Sequence, residues 1–294
     1  MSKFTIVVPG TTANLGVGFD SIGLAVSTTL ELEVVTEQEK WEVEHAFGES
    51  IPTDEKNLII QVALTVAPAL KPHKVICRST IPMTRGLGSS SSAIVAGIEL
   101  ANELAQLHLT NQQKVKIATE LEGHPDNVAP AILGGLVVAS YKKGNDLLPY
   151  VQKPVGNLAL VAFIPAEELS TEASRGVLPH SLSYADAVLA SSVSNTLVAA
   201  LFAGDYSTMG QVIEQDLFHE PYRSHLVPAL EQVREITKHH QVYGTYLSGA
   251  GPTVMTFMPK EQQQSVVKAL APLAKQTGAV VVPLEVVNKG VYVK

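Results

Sequence analysis

PMTRGLGSSSSAIVAG, residues 82–97, packs two glycines and four consecutive serines between a proline and an apolar run. Just downstream, Ile94, Ile98, Ala101 and Ala105 recur at helical spacing with Leu104 on the same side, which predicts an amphipathic helix from Ser92 to about Leu107. The four serines then straddle a helix N-terminus. A helix start leaves backbone N–H groups without partners and carries a partial positive charge, so a glycine-rich approach lets an anion sit close to several donors together. Serine hydroxyls add donors, and one of them can turn its oxygen to a metal ion. An N-cap with small-residue packing is the alternative, but four serines far exceed what one cap needs. The stretch therefore reads as a phosphate site. It is not the usual P-loop, because the chain holds no GxxxxGK[ST]; nor does it hold a GxGxxG between strand and helix, or a GxSxG nucleophile elbow.

Two further glycine-rich stretches strengthen this. PGTTANLGVGFDSIGLA, 9–25, follows a short apolar strand at 4–8, and LSGAGPTVM, 247–255, sits between two strands late in the chain. Three such segments are more than turns alone require.

At 294 residues, 46% hydrophobic and 17% charged, the chain is long enough for two domains. A formal charge of -7 argues against a nucleic-acid partner, which clustered Lys and Arg would hold. The single cysteine, Cys77, lies in the alternating stretch KVICRSTIP with no partner for a disulfide, which fits a buried strand residue in a reducing compartment. The N-terminus reaches Pro9 too soon for a signal peptide, and no apolar run is read as approaching the ~18 residues of a membrane span, so the expectation is a soluble cytoplasmic protein with no membrane partner.

Residues 28–35 alternate, Leu30, Leu32 and Val34 against Glu31 and Glu33, as do Trp41 and Val43 against Glu42 and Glu44, which predicts a hairpin over 37–40. A helix is expected over about 58–70 and a strand over KVICRSTIP. Thr110 with Gln113 forms a capping box that opens a helix running to Leu121. Beyond residue 150 come a strand NLALVAFIP, helices near 183–203, 206–217 and 225–239, a helix near 260–275 and a strand VVVPLEVV. The whole reads as α+β, with one domain over 1–150 and a second over 151–294.

PGTTANLGVGFD, the P-x-x-x-G-L-G-S-S run of Pro82 to Ser90, and SGAGPT, 248–253, are similar to the three motifs of the GHMP superfamily of small-molecule kinases. EGHPDNVAPAILGG, 122–135, resembles the homoserine kinase branch rather than a relative such as mevalonate kinase. The resemblance spans residues 9–255. It implies an N-terminal half like the second domain of ribosomal protein S5, a ferredoxin-like C-terminal half, and an active site in the cleft between them. It implies ATP and Mg²⁺, transfer of the γ-phosphoryl group to the side-chain hydroxyl of L-homoserine on the way to threonine, and a homodimer.

It also implies roles. Pro82, Arg85, Gly86, Leu87, Gly88, Ser89, Ser90, Ser91 and Ser92 would wrap ATP, with Ser90 also facing Mg²⁺; Ser91 stands where the family usually has alanine, which leaves open which hydroxyl does the work. Asn57 matches a position near the adenine, with a helix N-cap as the alternative. Glu122 is the expected metal carboxylate, with Glu120 as rival. Homoserine is a zwitterion: Asn14 and Asp20 suit its ammonium, Arg175 and Arg223 its carboxylate, and His124, Asn127 and Gly249 complete the pocket. Asp126, Asn127 and Arg175 are the catalytic candidates, although Asp126 reads equally as a cap on the 127–132 segment. Arg175 sits one residue beyond the family's usual T-x-x-A-R spacing, with Ser174 intervening. HEPYR, 219–223, is not HExxH, so His219 gives no support to a zinc protease.

Overall fold

A computed structural model describes residues 3–144 and 148–294. The first unit comprises strands β1 (Phe4–Ala13), β2 (Ile22–Glu37) and β3 (Glu42–Glu44), helix α1 (Leu58–Val66), strand β4 (His73–Ser79), helices α2 (Ser89–Leu104), α3 (Asn111–Glu122) and α4 (Val128–Leu133), and strands β5 (Leu136–Ala139) and β6 (Tyr150–Lys153). The alternation along β2 fixes its faces: Leu30, Leu32 and Val34 are buried while Glu31 and Glu33 point outward. It does not fix its neighbours. The expected hairpin over 37–40 does not form, because β4 lies between β2 and β3 and pairs with β3 in parallel, Val43 opposite Val75. A period-two pattern sets which side is wet, and either pairing satisfies it.

The second unit runs through β7 (Ala159–Ile164), α5 (Thr171–Gly176), α6 (Tyr184–Ala203), α7 (Tyr206–Val212), α8 (Glu220–Arg223), α9 (Ala229–Thr237), β8 (Gly244–Leu247), β9 (Val254–Met258), α10 (Gln263–Thr277), β10 (Val280–Glu285) and β11 (Tyr292–Val293). Its sheet is antiparallel in the order β10-β7-β9-β8, the arrangement of a ferredoxin-like split βαβ unit. Both faces are covered. Leu160 and Ala162 of β7 join the large core beneath the first sheet, together with Leu197 and Met209 from α6 and α7, whereas Val161 and Phe163 pack with Leu230, Val266 and Leu270 from α9 and α10.

The division expected at 150/151 falls inside β6, which pairs with β5, so the chain leaves the first sheet only after Lys153. It also returns: β11 pairs with β1, Ile6 opposite Val293. Helix α6 departs from the expectation that no run reaches membrane-span length, being 20 residues with a mean hydropathy of 1.4 over an 18-residue stretch of it. Its inward face, Val193, Leu197, Ala200 and Leu201, belongs to the shared core, while Tyr184, Val188 and Leu189 are exposed.

Helix α2 begins at Ser89 rather than Ser92. Gly88, at φ 73°, turns the chain, and its carbonyl accepts the Ser92 N–H at 2.8 Å, so the four serines form the first turn. The Thr110–Gln113 capping box forms at α3 as expected.

Candidate active site

Three glycine-bearing turns meet between the two sheets. The first joins β1 to β2, and in it Asn14, Leu15 and Asp20 take left-handed φ values of 70°, 46° and 55°. Such conformations cost non-glycine residues energy and gather where surrounding contacts over-determine the loop. The second turn, 83–88, feeds α2; the third, 248–253, joins β8 to β9. They are stitched to one another. Ser248 Oγ donates to the Gly86 carbonyl at 2.6 Å, Asn14 Nδ2 to the Gly249 carbonyl at 3.0 Å, and the Gly249 N–H to the Ala13 carbonyl at 3.1 Å. At Gly86, φ 78°, a Cβ would stand 2.4 Å from the Ser248 carbonyl oxygen, and at Gly88 2.1 Å from Thr11 Oγ1. Both positions therefore need glycine for conformation and for closeness.

Helix α2 opens toward this junction with no side-chain cap, which leaves the N–H groups of Ser89, Ser90 and Ser91, ahead of the Ser92 bond to Gly88, available to an external acceptor. Thr84, Gly86, Gly88, Ser89, Ser90 and Ser91 line the cleft. Other residues expected at ATP stand apart from its lining. Leu87 is buried in the core, Ser92 is buried and donates to the Pro9 carbonyl at 3.2 Å, and Pro82 is half-buried ahead of the turn. Arg85 reaches the second unit instead: its Nη2 donates to the Ala166 carbonyl at 2.6 Å and its Nε to that of Pro165 at 3.2 Å, with Glu168 3.3 Å away. Asn57 caps α1, accepting the Ile59 N–H at 3.1 Å and donating to the Pro52 carbonyl at 2.8 Å, so both ends of its amide are occupied.

At one side of the serines stands Glu122, the last residue of α3. Ser91 Oγ donates to its Oε1 at 2.8 Å, and burial raises its pKa, an effect that the Ser91 bond and His124 only partly offset. Glu120 lies on the exposed face of α3, 3.9 Å from Lys116, outside the cleft lining. The two rival carboxylates are thus separated by the helix that carries them.

Deeper in, Thr11 Oγ1 donates to Asn127 Oδ1 at 2.8 Å, Asn127 Nδ2 donates to Asp126 Oδ1 at 3.3 Å, and His124 Nδ1 lies 2.5 Å from that same oxygen. Burial alone would lower the His124 pKa, but the Asp126 hydrogen bond and charge, helped by Asp20, outweigh it and raise the pKa. Both bonds fall on Oδ1, so Oδ2 of Asp126 has no hydrogen bond among the described residues. The N-cap of α4 is Asn127 rather than Asp126, and it makes no capping side-chain bond. Asp20, His124 and Asp126 present donor atoms within 4.8 Å of one another, an acidic corner.

Opposite it are two arginines. Arg175, on α5, holds Asp20 bidentately at 2.7 and 3.1 Å. Burial opposes its charge, but the Asp20 partner wins and its pKa is raised. Arg223, at the end of α8, is 1% exposed, and its guanidinium donates to the carbonyls of Ser174 at 3.0 Å and Gly249 at 3.1 Å. It has no carboxylate partner among the described residues. Burial, and then the charge of Arg175, bring its pKa down to about 10, so it stays cationic at neutral pH. Asn14 lines the cleft, but both ends of its amide are already engaged, Nδ2 with the Gly249 carbonyl and Oδ1 accepting the Asp20 N–H at 3.0 Å. Two residues to which the sequence reading gave no site role complete this end. The Phe19 ring is stacked on the His219 ring at 5.2 Å, and both guanidinium carbons lie against it, 5.6 Å away for Arg175 and 5.3 Å for Arg223. Phe19 stands beside Asp20 in the first motif, a local hint; His219 had none beyond its place in HEPYR.

Residues 57–135 match the family model for the GHMP kinase N-terminal domain, and residues 197–274 that for the GHMP kinase C-terminal region. A homoserine kinase of Enterococcus faecalis is 51% identical over 269 residues, 92% of this chain and 93% of that protein. Among solved structures, the Listeria monocytogenes protein thrB is 44% identical with a TM-score of 0.87, each chain 99% covered. The homoserine kinase of Cytophaga hutchinsonii is 27% identical with a TM-score of 0.87, covering 100% of this chain and 98% of its own. The glycine turns, the uncapped serine helix and the paired arginines thus occur in a chain that belongs to the GHMP kinases and, within them, to the homoserine kinase family.

Proposed function

We propose that the chain transfers the γ-phosphoryl group of ATP to the side-chain hydroxyl of L-homoserine, giving ADP and O-phospho-L-homoserine. The observation that carries this is Arg223: a fully buried cation with no carboxylate partner among the described residues, beside a second arginine already neutralised by Asp20. A buried charge left so is costly unless a ligand completes it. An amino acid substrate does, its carboxylate meeting Arg223 and Arg175 while its ammonium meets Asp20. The exchange conserves charge, since a zwitterion inserted at the Arg175–Asp20 pair gives each partner a new counter-ion.

Phosphoryl transfer asks for placement and neutralised charge more than for covalent help. The phosphates sit against the backbone of Gly86 to Ser91 at the positive end of α2. Mg²⁺ fits the oxygen donors beside them: Glu122 faces the cleft with its carboxylate desolvated, and Ser90 is exposed there, a hard-oxygen set suited to that ion. Glu122 and Ser90 would hold it, and bound there it would neutralise charge on the phosphate oxygens. Ser91 orients the Glu122 carboxylate. Asp126, steadied on Oδ1 by His124 and Asn127, orients the substrate hydroxyl through Oδ2.

A homodimer belongs to the same reading, supported by the exposed Tyr184, Val188 and Leu189 of α6; sedimentation at the monomer mass would remove it. A coupled ADP-release assay tests the activity itself. ADP formation that depends on L-homoserine is expected. Turnover of mevalonate but not homoserine would assign another alcohol, and ATP binding without turnover of either would make the chain a sensor.

A further inference from the structure

We infer that His219, with the Phe19 ring stacked on it, is the positioning residue that sets the Arg223 guanidinium for the substrate carboxylate; this rests on the role of Arg223 proposed above. His219 is completely buried, and it touches both halves of the site. Its Nδ1 lies 3.2 Å from Arg223 Nη1 and its Nε2 2.9 Å from the carbonyl oxygen of Gly16, in the β1–β2 turn. A guanidinium only donates and a carbonyl only accepts, so Nδ1 is the acceptor and Nε2 carries the proton. The two contacts together lock the neutral Nε2–H tautomer. The backbone is locked as well, since Asp216 Oδ2 accepts the N–H groups of His219 and Glu220, each at 2.7 Å.

This gives Arg223 something a carbonyl pair does not. The Ser174 carbonyl, in α5, and the Gly249 carbonyl, in the β8–β9 turn, hold Nε and Nη1, and the first-motif loop reaches the latter only through the shared Gly249 oxygen that Asn14 also holds; the His219 bond adds a separate tie, through Gly16, to that loop, which also carries Asp20. Phe19 adds a flat wall shared by the imidazole and the two arginines. Two like charges held against one ring form a seat for a single planar carboxylate. A histidine that merely filled the core would have no reason to turn its bare nitrogen to a cation.

The two nitrogens can be tested separately. His219→Asn keeps an acceptor at the Nδ1 position and loses the reach to Gly16; His219→Gln keeps a donor near the Nε2 position and loses the acceptor; His219→Phe keeps only the ring. KM for homoserine, KM for ATP, kcat and thermal midpoint are measured for each, with Arg223→Leu alongside. Loss of one bond to a charged group is expected to raise the homoserine KM about tenfold or more in the Gln and Phe variants, with the Asn variant within about threefold of the parent and all ATP KM values within about twofold. If all three variants lose thermal stability while the homoserine KM stays put, or if the ATP and homoserine constants rise together, His219 is a core residue only and the inference fails. If Arg223→Leu itself leaves the homoserine KM unchanged, the reading of Arg223 is what falls, and the role of His219 falls with it. Should the variants not fold, ¹⁵N spectra of the unaltered protein decide: an unprotonated Nδ1 on His219 is expected, and a protonated one overturns the assignment.

Discussion

Replacing Arg223 by leucine removes the one buried cation among the described residues of the cleft that lacks a carboxylate partner, and leaves an aliphatic stem in its place. Two effects follow and can be separated. The bound carboxylate loses a desolvated partner, a loss worth ~2–5 kcal/mol for a close buried charge pair. At about 1.4 kcal/mol per factor of ten, the homoserine KM is expected to rise about 30-fold to a few thousand-fold. The protein also loses three hydrogen bonds, to the Ser174 and Gly249 carbonyls and to His219 Nδ1; the Gly249 carbonyl keeps its Asn14 donor, whereas a buried group left without any partner costs ~1–3 kcal/mol of stability. The assay is coupled ADP release, titrating homoserine at saturating ATP and then ATP at saturating homoserine, with a thermal melt to confirm that the variant is folded at the assay temperature. Because the phosphate turn is stitched through Ser248 and Thr253 rather than Arg223, the ATP KM is expected to move by less than about threefold. Equal shifts in both constants, or a folded variant with an unchanged homoserine KM, would refute the assignment of the carboxylate seat.

Glu122→Gln is expected to raise the Mg²⁺ concentration for half-maximal rate by at least about tenfold, since even outer partners of a metal site matter that much, while Glu120→Gln leaves it unchanged; the reverse ranking would hand the metal to Glu120. The His124 pKa is raised in the folded protein, so its pairing with Asp126 contributes stability below the unfolded value of 6.5 and loses it as pH rises through the folded pKa. The stability difference between the parent and His124→Gln is accordingly expected to be largest near about pH 6 and to shrink toward about pH 9; a difference that grows with pH would contradict the pairing. Asn57→Ala is expected to cost ~1 kcal/mol in a denaturant titration through loss of the α1 cap, with the ATP KM unchanged; a raised ATP KM at unchanged stability would restore its adenine role.

What could be read without coordinates was local. Helix starts, caps and glycine turns are decided within a few residues, so the serine helix, the capping box at Thr110 and the three loops were legible, and with them the family. Pairings decided across long separations were not. Nothing in EVE, 42–44, says that β4 will intervene before β2, and nothing in YV, 292–293, says that the chain returns to β1. The same holds in the site. Ser91 meets Glu122 across 31 positions and Ser248 meets Gly86 across 162, so neither bond has a sequence signature. Arg85 lies inside the phosphate motif yet turns to the carbonyls of residues 165 and 166, because a long guanidinium beside a helix start finds carbonyls more readily than the motif's own amides do. Asn57 shows the opposite: its cap geometry was a local alternative, and local chemistry occupies it fully.

The most direct measurement is a crystal structure with a non-hydrolysable ATP analogue, Mg²⁺ and L-homoserine bound together. The triphosphate is expected against Gly86 to Ser91 at the mouth of α2, with the homoserine carboxylate on Arg223 and its hydroxyl facing the terminal phosphate. A triphosphate lodged away from Gly88, or homoserine bound with its carboxylate turned from Arg223, would contradict the account.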